Sequence, residues 1–208
     1  MSAKRLAVIS AGLSQPSSTR LLADRLSDAT ARALRDAGIE PEIEVVELRD
    51  DAQELVHHLL TGVPSERLQR TLDTVLAADG LIAVTPTFSA SYSGLFKLFF
   101  DLVEHDALVG MPVLIGATGG TSRHSLVLDH ALRPLFTYLG ALVLPTGVYA
   151  AAEDWGRSAM PADSSLADRI ERAGDELARA MVLVERAPPP DPFENPVPFE
   201  QHLGGREA

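Results

Sequence analysis

The feature that most constrains this chain is a repeated alternation between short, wholly apolar runs and longer stretches with helical spacing. Leu6 to Ile9 is one such run, and Ile43, Val45 and Val46 mark a second. Leu81 to Val84, Val113 to Ile115 and Leu142 to Leu144 are three more. Runs this short, with little polar interruption, suit strands buried on both faces. Between them, Leu22, Leu26, Ala29, Ala33 and Ala37 recur at helical spacing and stop at Gly38. Further helices are predicted over 65–78, over 95–103, in a segment leading to Tyr138, and over 166–186.

Strand–helix alternation of this kind implies a parallel sheet covered by helices on both faces. The predicted fold class is α/β: a flavodoxin-like, doubly wound, five-stranded parallel sheet of order 2-1-3-4-5. Ligands of such sheets bind beyond the carboxyl ends of the strands, where the strand order reverses. The loops after strands one, three and four are therefore expected to meet. The 208 residues suit one such domain over 1–186, followed by a proline-rich tail over 187–208 whose Phe193 and Phe199 are available for docking.

Composition narrows the partners. A net charge of -11 argues against nucleic acid and against an anionic membrane surface. It is compatible with a phosphate-bearing cofactor held by backbone N–H groups. The absence of cysteine removes disulfides, thiolate metal sites and a thiol nucleophile. His57 and His58 are adjacent and His124 and His130 are six apart, so no metal site is expected. There is no Gly-x-Ser-x-Gly elbow, and Asp50-Asp51 and Glu153-Asp154 read as solvated turns. The first apolar run is too short for a secretory signal or a membrane span, which leaves the cytoplasm as the expected location.

Three loops carry the candidate chemistry. The first, Ser10 to Thr19, joins a strand to a helix and offers Ser14, Ser17, Ser18 and Thr19 to an anion at the helix N-terminus. It is neither a Gly-x-Gly-x-x-Gly nor a Walker loop, and serine and threonine also favour helix caps for their own sake. The second, Thr85 to Gly94, presents Phe88 and Tyr92, which suit either an aromatic ligand or the edge of a core. The third, Gly116 to Arg123, has Gly119 and Gly120, which allow either a plain turn or the close approach of a planar ligand to backbone.

The stretch Ala78-Asp-Gly-Leu-Ile-Ala-Val-Thr-Pro-Thr-Phe-Ser-Ala-Ser-Tyr-Ser-Gly-Leu-Phe-Lys97 resembles the NADPH-dependent FMN reductase family, where the corresponding text is ADG-hydrophobic-TP-x-Y-x-x-x-YSG-x-x-K. Ala117-Thr-Gly-Gly-Thr121, Leu128-Asp-His-Ala-Leu-Arg-Pro134 and Gly147-Val-Tyr149 continue the resemblance in order, over roughly residues 5–150. It is strongest to reductases that supply reduced FMN to alkanesulfonate-type or luciferase-like monooxygenases. The resemblance implies FMN and NADPH, with NADH as the alternative, a flavin-dependent monooxygenase as partner, and a homodimer or homotetramer. It places the FMN phosphate on Ser14, Ser17, Ser18 and Thr19, the ring against Pro86, Thr87, Phe88 and Ser89, and the far ring edge on Gly119, Gly120 and Thr121. It names no catalytic side chain, because hydride passes directly between nicotinamide and flavin.

Two departures from the family pattern stand out. Where many members carry an arginine in the first loop, this chain has Leu13 and Gln15, and its nearest arginine is Arg20. Where the sulfonate-linked members often carry a tyrosine, in a π-type turn at a subunit interface, this chain has His130, which read alone is a partly buried helix residue. Self-association is also expected from Phe96, Phe99 and Phe100, read as lying on more than one face of their helix. The rival readings are an FMN-retaining quinone or azo-compound reductase, a flavodoxin-type electron carrier (which usually has a T-x-T-G-x-T first loop, absent here) and a module that has lost flavin.

Overall fold

The computed structural model describes residues 3–104, 106–155 and 165–185. Strand β1 (Lys4–Ser10) is flanked by β2 (Pro41–Glu47) and β3 (Gly80–Phe88), both parallel to it. Leu6 faces Ile43 on one side and Gly80 on the other. Beyond β3 lies β5 (Pro112–Gly119), also parallel, with Ile82 opposite Leu114. The outer edge of β5 carries two short strands, β6 (Leu142–Val143) at its start and β7 (Val148–Ala151) at its end. The main path is β2-β1-β3-β5-β6, which reproduces the expected 2-1-3-4-5 arrangement. Among the described residues the sheet has seven strands, so the expectation of five is corrected.

The two extra strands have local causes. The fifth run is broken by Pro145 and Gly147, and the chain rejoins β5 as β7. The other is β4 (Ser91–Tyr92), which turns back antiparallel on β3 with Thr87 opposite Tyr92. Its two-residue turn puts Ser89 and Ala90 at φ 49° and 64°. Two successive positive φ values match the twist of a tight hairpin, though side chains other than glycine or asparagine bear them at some cost.

Helix α1 (Ser18–Asp36) and α6 (Leu166–Leu183) cover one face, packing Leu22, Leu26, Ala173 and Leu177 on Leu6, Val8, Ile82 and Leu114. They approach closely at Gly174, where a Cβ would meet the Cβ of Ala29 at 2.7 Å and the Thr30 nitrogen at 2.9 Å. The other face holds α2 (Ala52–Thr61), α3 (Glu66–Leu76), α4 (Gly94–Asp101) and α5 (Arg133–Tyr138). Helix α2 was not anticipated, because it buries only Leu55 while Val56, Leu59 and Leu60 are exposed, which blurs the helical stripe.

Phe96, Phe99 and Phe100 are all buried, in an aromatic cluster with Phe136. Offsets of three and four residues place them on one stripe, so the argument that they need an external partner fails. Asp51 is no solvated turn either: it is buried and pairs with Arg67 at 2.6 Å. The tail over 187–208, with Phe193 and Phe199, lies outside the described residues.

Candidate functional site

Parallel strands end together, and here the ends of β1, β3 and β5 converge on α1. Gly12 lets the first loop lie against the start of that helix, since a Cβ there would collide with Ser17 Oγ. Ser17 caps the helix: its Oγ accepts from the Arg20 N–H at 3.2 Å, and its carbonyl accepts from the Leu21 N–H at 3.0 Å. The N–H groups of Ser18 and Thr19 therefore have no acceptor within the helix. No acidic residue stands in the first turn. Unpaired donors and the macrodipole make this helix end suited to seat an anion.

That seat opens into a cleft of about 520 Å³, lined by Leu13, Ser14, Ser17, Ser18, Thr19, Pro86, Thr87, Phe88, Thr118, Gly119, Gly120, Ala152 and Trp155. A cleft of this size is in the usual range for a cofactor site. The structure thus brings together every candidate residue except two. Ser89 sits at the tip of the β3–β4 hairpin, and Thr121 lies behind the cleft, with its carbonyl accepting from the Tyr149 hydroxyl at 2.8 Å. Thr19 is buried, and its hydroxyl shares a 2.8 Å hydrogen bond with that of Thr118. One hydrogen of that pair is used between the two oxygens and the other is available.

Sequence reasoning missed Leu13, Thr118, Ala152 and Trp155. Trp155, the only tryptophan, follows β7, and it stayed hidden because β7 itself did. Its ring stacks against Arg25, whose guanidinium carbon lies 5.1 Å from the ring centre. Half-exposed Leu13 and Phe88 complete the apolar rim.

No Asp, Glu, His, Lys, Arg or Tyr lines the cleft among the described residues. The nearest arginine in sequence is engaged elsewhere: Arg20 bonds Asp24 and Glu47, each at 2.7 Å, and the Asp24 hydrogen bond raises its pKa further. The polar inventory is hydroxyls and backbone. Thr87 Oγ1 is buried without a hydrogen-bond partner of ordinary geometry, an unmet demand that a polar ligand edge can satisfy. At Gly120 a Cβ would meet nothing within 4 Å, so the backbone there is open to approach. Gly119 differs, because its Cβ would strike the Tyr149 hydroxyl. Burial pushes the Tyr149 phenol above its usual pKa; the Thr87 hydroxyl pulls the other way, and Asp154 and Glu153 add to the rise.

On the far side of α4 a second groove, of about 600 Å³, runs between that helix and a π-type turn over Leu128–Leu132. Pro134 has no N–H for the carbonyl four residues back, which favours a widened turn there. His130 is exposed in this turn, so the reading as a partly buried helix residue is corrected. Arg133 ties the turn to the break before β7, donating to the carbonyls of Leu144 at 2.9 Å and Pro145 at 3.1 Å. Among the described residues no helix is long and apolar enough to cross a membrane, and no cluster of His, Cys, Asp or Glu could hold a metal ion.

Residues 4–156 match the profile of the NADPH-dependent FMN reductase family. The chain is 38% identical to the NADPH-linked FMN reductase of Pseudomonas aeruginosa, a match spanning 84% of this chain and 90% of that one. It is 39% identical to the NADH-dependent FMN reductase SfnE of Pseudomonas putida, over 87% of this chain and 89% of that one. A solved oxidoreductase from Corynebacterium diphtheriae superimposes with a TM-score of 0.83 at 47% identity, covering 88% of this chain and 99% of that structure.

Proposed function

We propose, since this chain belongs to the NADPH-dependent FMN reductase family, that it oxidises a reduced nicotinamide dinucleotide and passes the electrons to FMN, which then leaves for a partner flavin-dependent monooxygenase. One observation carries this reading: an anion seat at the start of α1 opens into the same cleft as the flat, backbone-lined ends of β3 and β5. FMN has that shape, a phosphate on a flexible arm and a planar ring.

Ser14, Ser17 and Ser18, with the free N–H groups of Ser18 and Thr19, hold the phosphate. Pro86, Thr87 and Phe88 lie along the ring, and the Gly119–Gly120 backbone meets its far edge. Ser89 and Thr121, set outside the cleft, shape the hairpin and the loop that present those contacts. When bound, the flavin supplies the two-electron chemistry. The protein's residues orient the ring and offer N–H groups to the side where negative charge develops. No titratable side chain stands in the cleft among the described residues, so no residue is assigned as acid or base.

Release of FMN fits a site whose described residues include no cation to retain the phosphate. Both NADPH-linked and NADH-linked relatives occur, and Arg20 is held by two carboxylates, so this chain is expected to use either dinucleotide. A homodimer or homotetramer is supported by the groove beside the π turn, where Tyr138 is 68% exposed. A cytoplasmic location fits reactants that are themselves soluble metabolites.

The test is to add NADPH or NADH to protein and FMN without oxygen and to follow flavin absorbance. Bleaching over many equivalents of FMN is expected. Reduction that stops at one equivalent, with electrons still reaching quinones, would favour a retained prosthetic group and a quinone reductase.

A further inference from the structure

We propose that Tyr149 is a positioning residue for flavin binding, its phenol setting the spacing between the Gly119–Gly120 edge of the cleft and Thr87 on the opposite strand. This rests on the flavin reading above and deepens it. Tyr149 does not line the cleft. It lies in β7, paired with Ala117 of β5, with its ring buried. Its carbonyl accepts from Arg169 Nη1 at 2.7 Å, which fixes the backbone from which the ring projects.

Three contacts converge on the phenol oxygen. It donates to the Thr121 carbonyl at 2.8 Å and so holds the loop after β5 in place. It fills the space that a Cβ on Gly119 would occupy. The Thr87 hydroxyl also acts on it, drawing its pKa down against the effect of burial, and among the described residues that buried hydroxyl has no partner of ordinary geometry. The phenol is thus a spacer wedged beneath two neighbouring strands at the level where each meets the ligand. Gly119 is glycine because the wedge needs the room. Burial keeps the phenol protonated, so it remains a donor throughout the neutral range.

Hydrogen-bond loss and steric interlock give separate signatures, and a double-mutant cycle reads both. Wild type, Tyr149→Phe, Gly119→Ala and the double variant are compared by quenching of flavin fluorescence and by steady-state reduction of FMN with NADPH. Tyr149→Phe should raise KM and Kd for FMN on the order of tenfold, with kcat at saturating FMN within about twofold of wild type. A variant merely loosened throughout would lose kcat as well. Gly119→Ala should weaken FMN binding too, because its new methyl group displaces the phenol. In the double variant the collision with the oxygen is gone and the nearest remaining atom is ring Cζ at 3.1 Å, which a shift of a few tenths of an ångström relieves, so the combined loss of affinity should be smaller than the product of the two single losses.

Wild-type KM for FMN in Tyr149→Phe, or strictly multiplicative losses in the double variant, would overturn the proposal. If Tyr149→Phe fails to fold, Gly119→Ala alone reads the same contact from the other side, and unchanged FMN affinity there overturns the proposal equally. Failure of the flavin reading looks different, since wild type itself would neither bind nor reduce FMN.

Discussion

Ser17 does two jobs at once, and a single substitution separates them. As the cap of α1 it satisfies the Arg20 N–H, so Ser17→Ala should cost about 1 kcal/mol of stability. As part of the anion seat it should also discriminate FMN from riboflavin. We expect FMN to bind more tightly than riboflavin in wild type and the gap to shrink in Ser17→Ala, measured by fluorescence quenching; equal affinities in wild type would remove the phosphate seat from the account. Gly120 gives a cleaner probe of the ring than Gly119. Its Cβ direction is open, so Gly120→Val should keep its melting temperature and lose FMN affinity. Sequence alone treats the two glycines alike, as positions where a ring can approach. The difference depends on Tyr149, which is far away in sequence and close in space. The first loop was legible for the opposite reason: a run of hydroxyl residues between a strand and a helix is a local signal.

At the level of elements, the long helices and the four long parallel strands were readable because each carries its own period. The π turn was expected only through family resemblance, since its cause, a proline inside a helical path, reads equally as a helix stop. Strand β7 escaped because Pro145 and Gly147 read as the end of the sheet. That miss had consequences, because β7 carries Tyr149 and leads to Trp155. The contact of α1 with α6 yields a prediction of its own. Gly174→Ala would ordinarily strengthen a helix by up to about 1 kcal/mol. Here the methyl group meets backbone of α1 at 2.9 Å, so the substitution should instead destabilise by about 1–3 kcal/mol. Chemical denaturation checks the sign, and a gain in stability would show that the two helices can part without penalty.

For the whole molecule, the decisive quantity is the net charge of -11 around a cleft with no cation among its described residues. A flavin phosphate approaching this protein is repelled at long range and held only by short-range dipoles. Salt should therefore speed the association of FMN by screening the repulsion, while the association of riboflavin stays unchanged. Stopped-flow rates at low and high ionic strength would show this, and an FMN rate that falls with salt would reveal a cationic funnel that the described residues of the cleft do not supply. The composition of the cleft also separates the protein from its ligand as a proton carrier. Serine, threonine, proline, phenylalanine, tryptophan and glycine do not titrate near neutrality. The phosphate monoester of FMN does, with a second ionisation near pH 6 by analogy with phosphorylated side chains. Acidity reaches this site chiefly with its cargo: whatever pH dependence FMN capture shows between about 5 and 8 should trace the ligand's own titration curve, and riboflavin should cross that interval unaffected.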